Sequence, residues 1–222
     1  MKIRIINPDY GVGEENMRQR CAMLQPYVGP DVELSMVCLT KTHVEIDSAA
    51  DVVLAGPEIL ELAIAAEKEG CDAVVLYCFS DPAAEAYKER LHIPVIGGAQ
   101  ASLLTVPLVG KKAGILLADR ARIEEKELFV RTLGLAPERI GTVAAIDFHG
   151  RSIWDNREQA YQELKTAGEQ LLQKQPLSCL VLGCLSFLGM AKPLSKELGV
   201  PVIDPAICAV CTAESLVRQE LI

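Results

Sequence analysis

The sequence predicts an α/β protein made of two similar doubly wound halves, each a parallel sheet packed between helices. Short aliphatic runs alternate with helical patterns along the whole chain, the signature of α/β units. The strand candidates divide into two sets of four that resemble each other in order and spacing. Half of the 222 residues are hydrophobic while aromatics make up only 5%, so Ala, Val, Leu and Ile must fill the core, as in buried parallel strands covered on both faces.

Taken in order, the strand candidates are 2–7, 32–38, 72–77, 94–96, 112–117, 140–146, 178–183 and 201–203. The first is led by Lys2 into Ile3-Arg4-Ile5-Ile6, and the fifth by Lys112 into Ala113-Gly114-Ile115-Leu116-Leu117. The third and seventh are almost wholly apolar, Ala73-Val74-Val75-Leu76 and Cys179-Leu180-Val181-Leu182, as strands buried on both faces should be. The fourth and eighth begin at proline, Pro94-Val95-Ile96 and Pro201-Val202-Ile203, a residue suited to a strand's first position. Helical periodicity is clearest over 56–69, 121–134 and 155–174, and a final helix is expected from about Ala206.

The repeat is explicit. Gly70-Cys71-Asp72-Ala73-Val74-Val75-Leu76-Tyr77-Cys78 leads, after a short helix, to Leu91-His92-Ile93-Pro94-Val95-Ile96. Pro176-Leu177-Ser178-Cys179-Leu180-Val181-Leu182-Gly183-Cys184 leads to Leu198-Gly199-Val200-Pro201-Val202-Ile203. Cysteine and proline are 16 residues apart in one half and 17 in the other; the leading lysine and the cysteine are 76 and 72 apart. A period this long is a duplicated domain, not a solenoid unit. The expected halves are 1–98 plus 205–222 and 99–204, related by a pseudo-twofold axis, with an active site in the cleft between them.

Lys and Arg total 22 against 30 Asp and Glu, a net charge of −8. With no basic cluster, that argues against nucleic acid or an anionic membrane as partner. No apolar run approaches the roughly 20 residues of a membrane span. The opening Met1 to Pro8 reads as a strand and not as a leader, so a cytoplasmic protein is expected. Its eight cysteines should then be free thiols. The expected partner is a small molecule; homo-oligomerisation is left open.

Cys78 and Cys184 each end a buried strand, and ligands of open parallel sheets sit beyond the carboxyl ends of the strands. Ser80-Asp81-Pro82 reads as the start of a helix about three residues past Cys78, whose N-terminal dipole would favour a thiolate; Ser186 offers a weaker cap after Cys184. Inverting a stereocentre without a cofactor needs one group to take a proton from one face and another to return one to the opposite face. A thiolate and a thiol on opposed walls supply that pair. Singly, each cysteine is better read as a small buried hydrophobe, but packing has no reason to place cysteine at both equivalent strand ends.

These residues resemble the aspartate/glutamate racemase superfamily, and within it hydantoin racemases. The resemblance is carried by Ile5-Ile6-Asn7-Pro8, by Ile46 to Asp51 with Pro57, and by Cys78-Phe79-Ser80-Asp81-Pro82. Leu182-Gly183-Cys184 with Gly189-Met190, and Val202-Ile203-Asp204, complete it. Cys-Phe-x-Asp-Pro is the most specific motif. The resemblance implies two-base racemisation by Cys78 and Cys184 with no cofactor and no metal, and substrate contacts from Asn7, Ser48, Phe79, Ser80, Leu185 and Ser186. Amino-acid racemases of the superfamily carry Thr or Asn-Thr beside their cysteines. Phe79-Ser80 and Leu185-Ser186 here point instead to a ring amide such as a 5-substituted hydantoin or allantoin. A departure falls at Gly97-Gly98-Ala99-Gln100, where an acidic residue is common. Alternatives are an aspartate/glutamate-type racemase, a maleate-isomerase-like cis–trans isomerase, and a binding protein that kept the cleft without the chemistry.

Other motifs read more plainly. Gly11-Val12-Gly13-Glu14-Glu15-Asn16 lacks the third glycine of a dinucleotide fingerprint and is a glycine turn. Cys208-Ala209-Val210-Cys211 lies on an apolar helix with no second pair, so core thiols are favoured over zinc or redox use. His43, His92 and His149 are isolated; His43, beyond the second strand, keeps a substrate contact open. The ordinary role of Ser48 is to cap the helix that follows it.

Overall fold

The computed structural model describes residues 1–133 and 137–221. In chain order it contains β1 (Lys2–Tyr10), α1 (Glu14–Leu24), β2 (Glu33–Leu39), α2 (Ala49–Lys68), β3 (Ala73–Leu76), α3 (Ala84–Lys88), β4 (Val95–Gly97) and α4 (Gly98–Val109). There follow β5 (Ala113–Leu117), α5 (Ile123–Thr132), β6 (Ile140–Ala145), α6 (Arg157–Lys174), β7 (Cys179–Leu182), α7 (Ala191–Leu198), β8 (Val202–Ile203) and α8 (Pro205–Arg218). All eight expected strands are present. Of the helix expected over 121–134, Gly134 lies outside the described residues.

The chain divides into two compact units, Met1–Ala101 with Ala206–Ile222, and Ser102–Pro205. The first holds a parallel sheet of order β2-β1-β3-β4 and the second one of order β6-β5-β7-β8. The two orders are the same, and so is the register: Ile6 stands opposite Leu76, and Leu116 opposite Leu182. In such an order the direction of winding reverses between the first and third strands, which is where open α/β sheets bind ligands.

Strands β3, β5 and β7 are buried at every residue, which accounts for their unbroken apolar sequence. In the first unit Ile6, Leu39 and Leu76 pack against Ala55, Ile59 and Ala63 of α2. In the second, Leu116, Leu180 and Leu182 pack against Leu164 and Leu171 of α6. Both helices present apolar residues at spacings of three, four and seven, one face of a helix.

Helix α2 begins at Ala49, seven residues before the expected start at 56. The reason is local: Ser48 accepts from the Asp51 N–H at 3.2 Å, a strong N-cap that Pro57 does not override. Residue 53, whose carbonyl the proline cannot bond, is 74% exposed and lies on the water-facing side.

Candidate active site

In the first unit β1 carries Asn7 to the carboxyl edge of the sheet. Its ladder to β2 shifts register between Asn7 and Tyr10, so Pro8 and Asp9 sit in a bulge, where a proline costs no ladder bond. Asn7 is 1% exposed. Its side-chain oxygen accepts from Arg20 Nη1 at 3.2 Å and its amide nitrogen donates to Asp9 Oδ2 at 3.1 Å. Arg20, also buried, donates from Nε to Asn16 at 2.6 Å and lies over the Tyr77 ring, 5.1 Å from its centroid. Burial raises the Asp9 carboxyl above its ordinary value, against the opposing pull of the Ile46 N–H and of Arg20. Tyr10 stacks on His43, with centroids 3.8 Å apart.

The two cysteines occupy the same place in their own sheets. Tyr77, the residue after β3, donates its N–H to the Ile6 carbonyl at 2.8 Å; Gly183, after β7, donates to the Leu116 carbonyl at 2.7 Å. Cys78 and Cys184 come next, each half-buried. Each opens a turn closed three residues later: the Asp81 N–H donates to the Cys78 carbonyl at 3.3 Å, and the Phe187 N–H to the Cys184 carbonyl at 3.2 Å. The central pairs of the turns are Phe79-Ser80 and Leu185-Ser186. Phe79, Ser80 and Leu185 are buried and Ser186 is half-buried. Gly183 is required by space, because a Cβ there would lie 2.4 Å from Leu117 Cδ2 and 3.0 Å from the Leu116 carbonyl oxygen.

All eight cysteines are free thiols. Burial pushes the Cys21 thiol up to about 11 and also raises Cys179 and Cys211, which keeps these three as thiols near neutral pH. The Cys211 thiol donates to the Tyr27 carbonyl at 3.3 Å, a packing role.

The capping expectations need correction. The helix after Cys78 is α3, five residues long and starting six residues past the sulfur; Pro82 is not its first residue. Its N-cap is Ala83, in left-handed backbone and with no side-chain cap. Asp81 instead caps α4: its carboxylate accepts from the N–H groups of Ala99 at 3.0 Å and Gln100 at 2.7 Å. Ser186 lies inside a single 3₁₀ turn, Leu185–Phe187, capped by no side chain. The five residues of α3 and the single turn after Cys184 supply little dipole of their own.

Ser48 is exposed, and its hydroxyl donates to Asp51 Oδ2 at 2.6 Å while capping α2. Sequence reasoning missed Arg20, Asp9 and Tyr87, and it assigned Asp81 to the wrong helix. The signal for Arg20 was its i, i+4 spacing with Leu24, the other buried residue of α1. Tyr87 is fully buried, and its hydroxyl has no hydrogen-bond partner among the described residues. Burial, and secondarily the charge of Cys78, holds its phenol well above the usual range. In the second unit His149 Nδ1 lies 2.7 Å from Asp119 Oδ2, so the histidine is oriented and not isolated.

Two like sheets, each ending its third strand in a half-buried cysteine and a tight turn, define a duplicated α/β enzyme. The sequence matches the Asp/Glu/Hydantoin racemase family over residues 3–213, and the chain belongs to that family. It is an isomerase of the racemase type. It is 32% identical to a hydantoin racemase of Paenarthrobacter aurescens, over 98% of this chain and 91% of that one. An allantoin racemase structure from Klebsiella pneumoniae superposes with a TM-score of 0.89 at 25% identity, covering 99% of this chain and 89% of that one. A second allantoin racemase structure, from Pseudomonas fluorescens, has a TM-score of 0.86 at 21% identity, covers 99% and 92%, and shares the fold. Among the described residues no helix is long and apolar enough to cross a membrane.

Proposed function

We propose that this racemase inverts a 5-substituted hydantoin, a class that includes allantoin, by two-base proton transfer between Cys78 and Cys184. The observation that carries the reading is the identical placement of the two thiols, each two residues beyond the third strand of its sheet and each opening the same turn. Likeness to relatives named for hydantoin and allantoin supports the ring.

The chemistry fits the ring. The hydantoin C5–H is flanked by a carbonyl and a nitrogen, so its removal leaves an enolate with the charge on the C4 oxygen. The thiolate of one cysteine takes that proton and becomes a thiol. The thiol of the other gives a proton to the opposite face and becomes a thiolate. Each turnover leaves the enzyme in the protonation state that the reverse reaction needs, and activity requires one sulfur in each form, which gives a bell-shaped pH profile. The turn amides of Phe79-Ser80 and Leu185-Ser186 hold the ring carbonyls, where fixed N–H groups stabilise developing negative charge. Asn7, braced by Arg20 and Asp9, presents the remaining amide hydrogen, and Ser48 lines the outer edge. A free α-amino acid would need groups for its carboxylate; Phe79 and Leu185 favour a neutral ring.

The test is deuterium exchange followed separately for each enantiomer. Cys78→Ser and Cys184→Ser should each abolish racemisation, because a serine hydroxyl is too weak an acid for either role. Each variant should still exchange the C5 proton of one enantiomer, and the two variants should choose opposite ones. Near-normal racemisation in either variant would end the two-thiol mechanism.

A further inference from the structure

The turn after Cys78 is strained. Asp81 and Ala83 both lie in left-handed backbone, with φ of 41° and 56°. Asp adopts that region more readily than most residues, but two such residues flanking a proline do not persist unless the surroundings impose them. Strain of this kind gathers at functional sites.

What imposes it is the Asp81 carboxylate. The N-cap position of α4 is Gly97, which has no side chain to offer. The carboxylate of Asp81, 5% exposed, fills the gap and bonds the second and third N–H groups of the helix, the bonds an N-cap side chain would make. The substitution is spatially literal: a Cβ on Gly97 would lie 2.2 Å from the Asp81 carboxyl carbon. The helix thus receives its cap from the cysteine turn, and the turn is fastened to the helix.

The second unit makes the same fastening from the other side. Asp204 occupies the position equivalent to Gly97, directly after β8 and before α8. Its Oδ2 accepts from the Gly189 N–H at 2.9 Å, and Gly189 lies five residues beyond Cys184. In one half the last residue of the cysteine turn supplies the acid and the first turn of α4 supplies the donors. In the other the residue after the strand supplies the acid, and the donor, Gly189, follows the cysteine turn by two residues.

We infer that Asp81 and Asp204 are the positioning residues of the two cysteines, each holding the turn of its own sulfur and leaving the other unaffected. This rests on the two-thiol reading. Neither carboxylate needs to touch substrate; each fixes where its sulfur stands, and misplacement of a reacting group by an ångström can cost about a hundredfold in rate.

The experiment reads one cysteine at a time. In a Cys184→Ser background, exchange of the C5 proton of a 5-substituted hydantoin into D2O depends on Cys78 alone; in a Cys78→Ser background it depends on Cys184 alone. Asp81→Asn should slow the first exchange on the order of tenfold to a hundredfold and leave the second within about twofold. Asp204→Asn should do the reverse. Should Asp81→Asn fail to fold, Gly97→Ala disturbs the same fastening by crowding the carboxylate, with the same expected pattern. Equal losses in both backgrounds, or no loss in either, would overturn the assignment while leaving the two-thiol mechanism standing. Absence of enantiomer-selective exchange in both parent variants would overturn both.

Discussion

Glu58 offers a quantitative check on how the loop at the carboxyl end of β2 is held. Its side chain comes from α2, is 5% exposed, and accepts from the backbone N–H groups of Thr40 at 2.7 Å, Lys41 at 3.0 Å and Thr42 at 2.6 Å. Burial alone would raise this carboxyl, but the bonds from Thr40, Thr42 and Lys41 outweigh it and bring it down to about 2. A shift from 4.5 to about 2, at about 1.4 kcal/mol per unit, corresponds to about 3 kcal/mol of folding stability. The group titrates lower in the folded protein than in the unfolded one. Its contribution is therefore complete above about pH 4.5 and is lost as pH falls from there toward 2. Glu58→Gln keeps the shape but removes the charge and replaces one accepting oxygen by an NH2 that cannot accept, so at least one of the three N–H groups loses its partner. It should lower stability by about 2–4 kcal/mol at pH 7, with the difference shrinking below pH 4. Urea denaturation of both proteins between pH 7 and pH 3 measures this, since other titrating groups cancel in the difference. A gap below about 1 kcal/mol at pH 7, or one unchanged at pH 3, would refute the reasoning. His43, stacked on Tyr10, sits one residue past this loop, so the same variant tests whether the rim of the first sheet depends on the clamp.

Tyr87→Phe should leave thermal stability unchanged or raise it, because a buried hydroxyl without a partner costs about 1–3 kcal/mol; a marked fall in melting temperature would show that the hydroxyl is satisfied in solution. Gly183→Ala should destabilise by about 1–3 kcal/mol, since the added Cβ meets the Leu116 backbone as well as the Leu117 side chain. It should also lower racemisation by displacing the neighbouring Cys184, as steady-state kinetics of the folded variant would show.

What the sequence made legible was whatever repeats or alternates. The strands could be read because β3, β5 and β7 are buried on both faces and so carry unbroken aliphatic runs. The cysteines could be read because duplication placed them at matching strand ends, which a lone thiol would not have disclosed. The bonds of Asp81 could not be read in that way. Its position beside Pro82 has the local grammar of a helix start, and local grammar cannot say that the carboxylate reaches α4, across β4, instead of α3. The repeat aligns Val95-Ile96-Gly97 with Val202-Ile203-Asp204, and it shows that α4 lacks the acid at its own start, but not that Asp81 supplies it. Arg20 was hidden for a different reason. A charged residue on a polar helix is ordinarily solvated, and only the fold reveals that Asn7 and Asn16 receive it.

The contrast between the two turns also bears on how their roles can be separated. Enantiomers of a compound with one stereocentre have equal free energies in water, so the equilibrium constant for their interconversion is one. The values of kcat/KM in the two directions are then equal whatever the enzyme's residues are. Unlike supports around the two sulfurs, with Asn7 in β1 where β5 has Leu117, and with Asp81 and Asp204 working from opposite loops, cannot disturb that equality. They can only redistribute the energy of bound states between kcat and KM. Steady-state kcat/KM is therefore blind to which cysteine a substitution has disturbed, and a loss at either base lowers both directions together. Exchange on one face, with the other thiol removed, is free of this constraint because it never completes an inversion. That is the physical reason the role of each carboxylate must be read from half of the reaction.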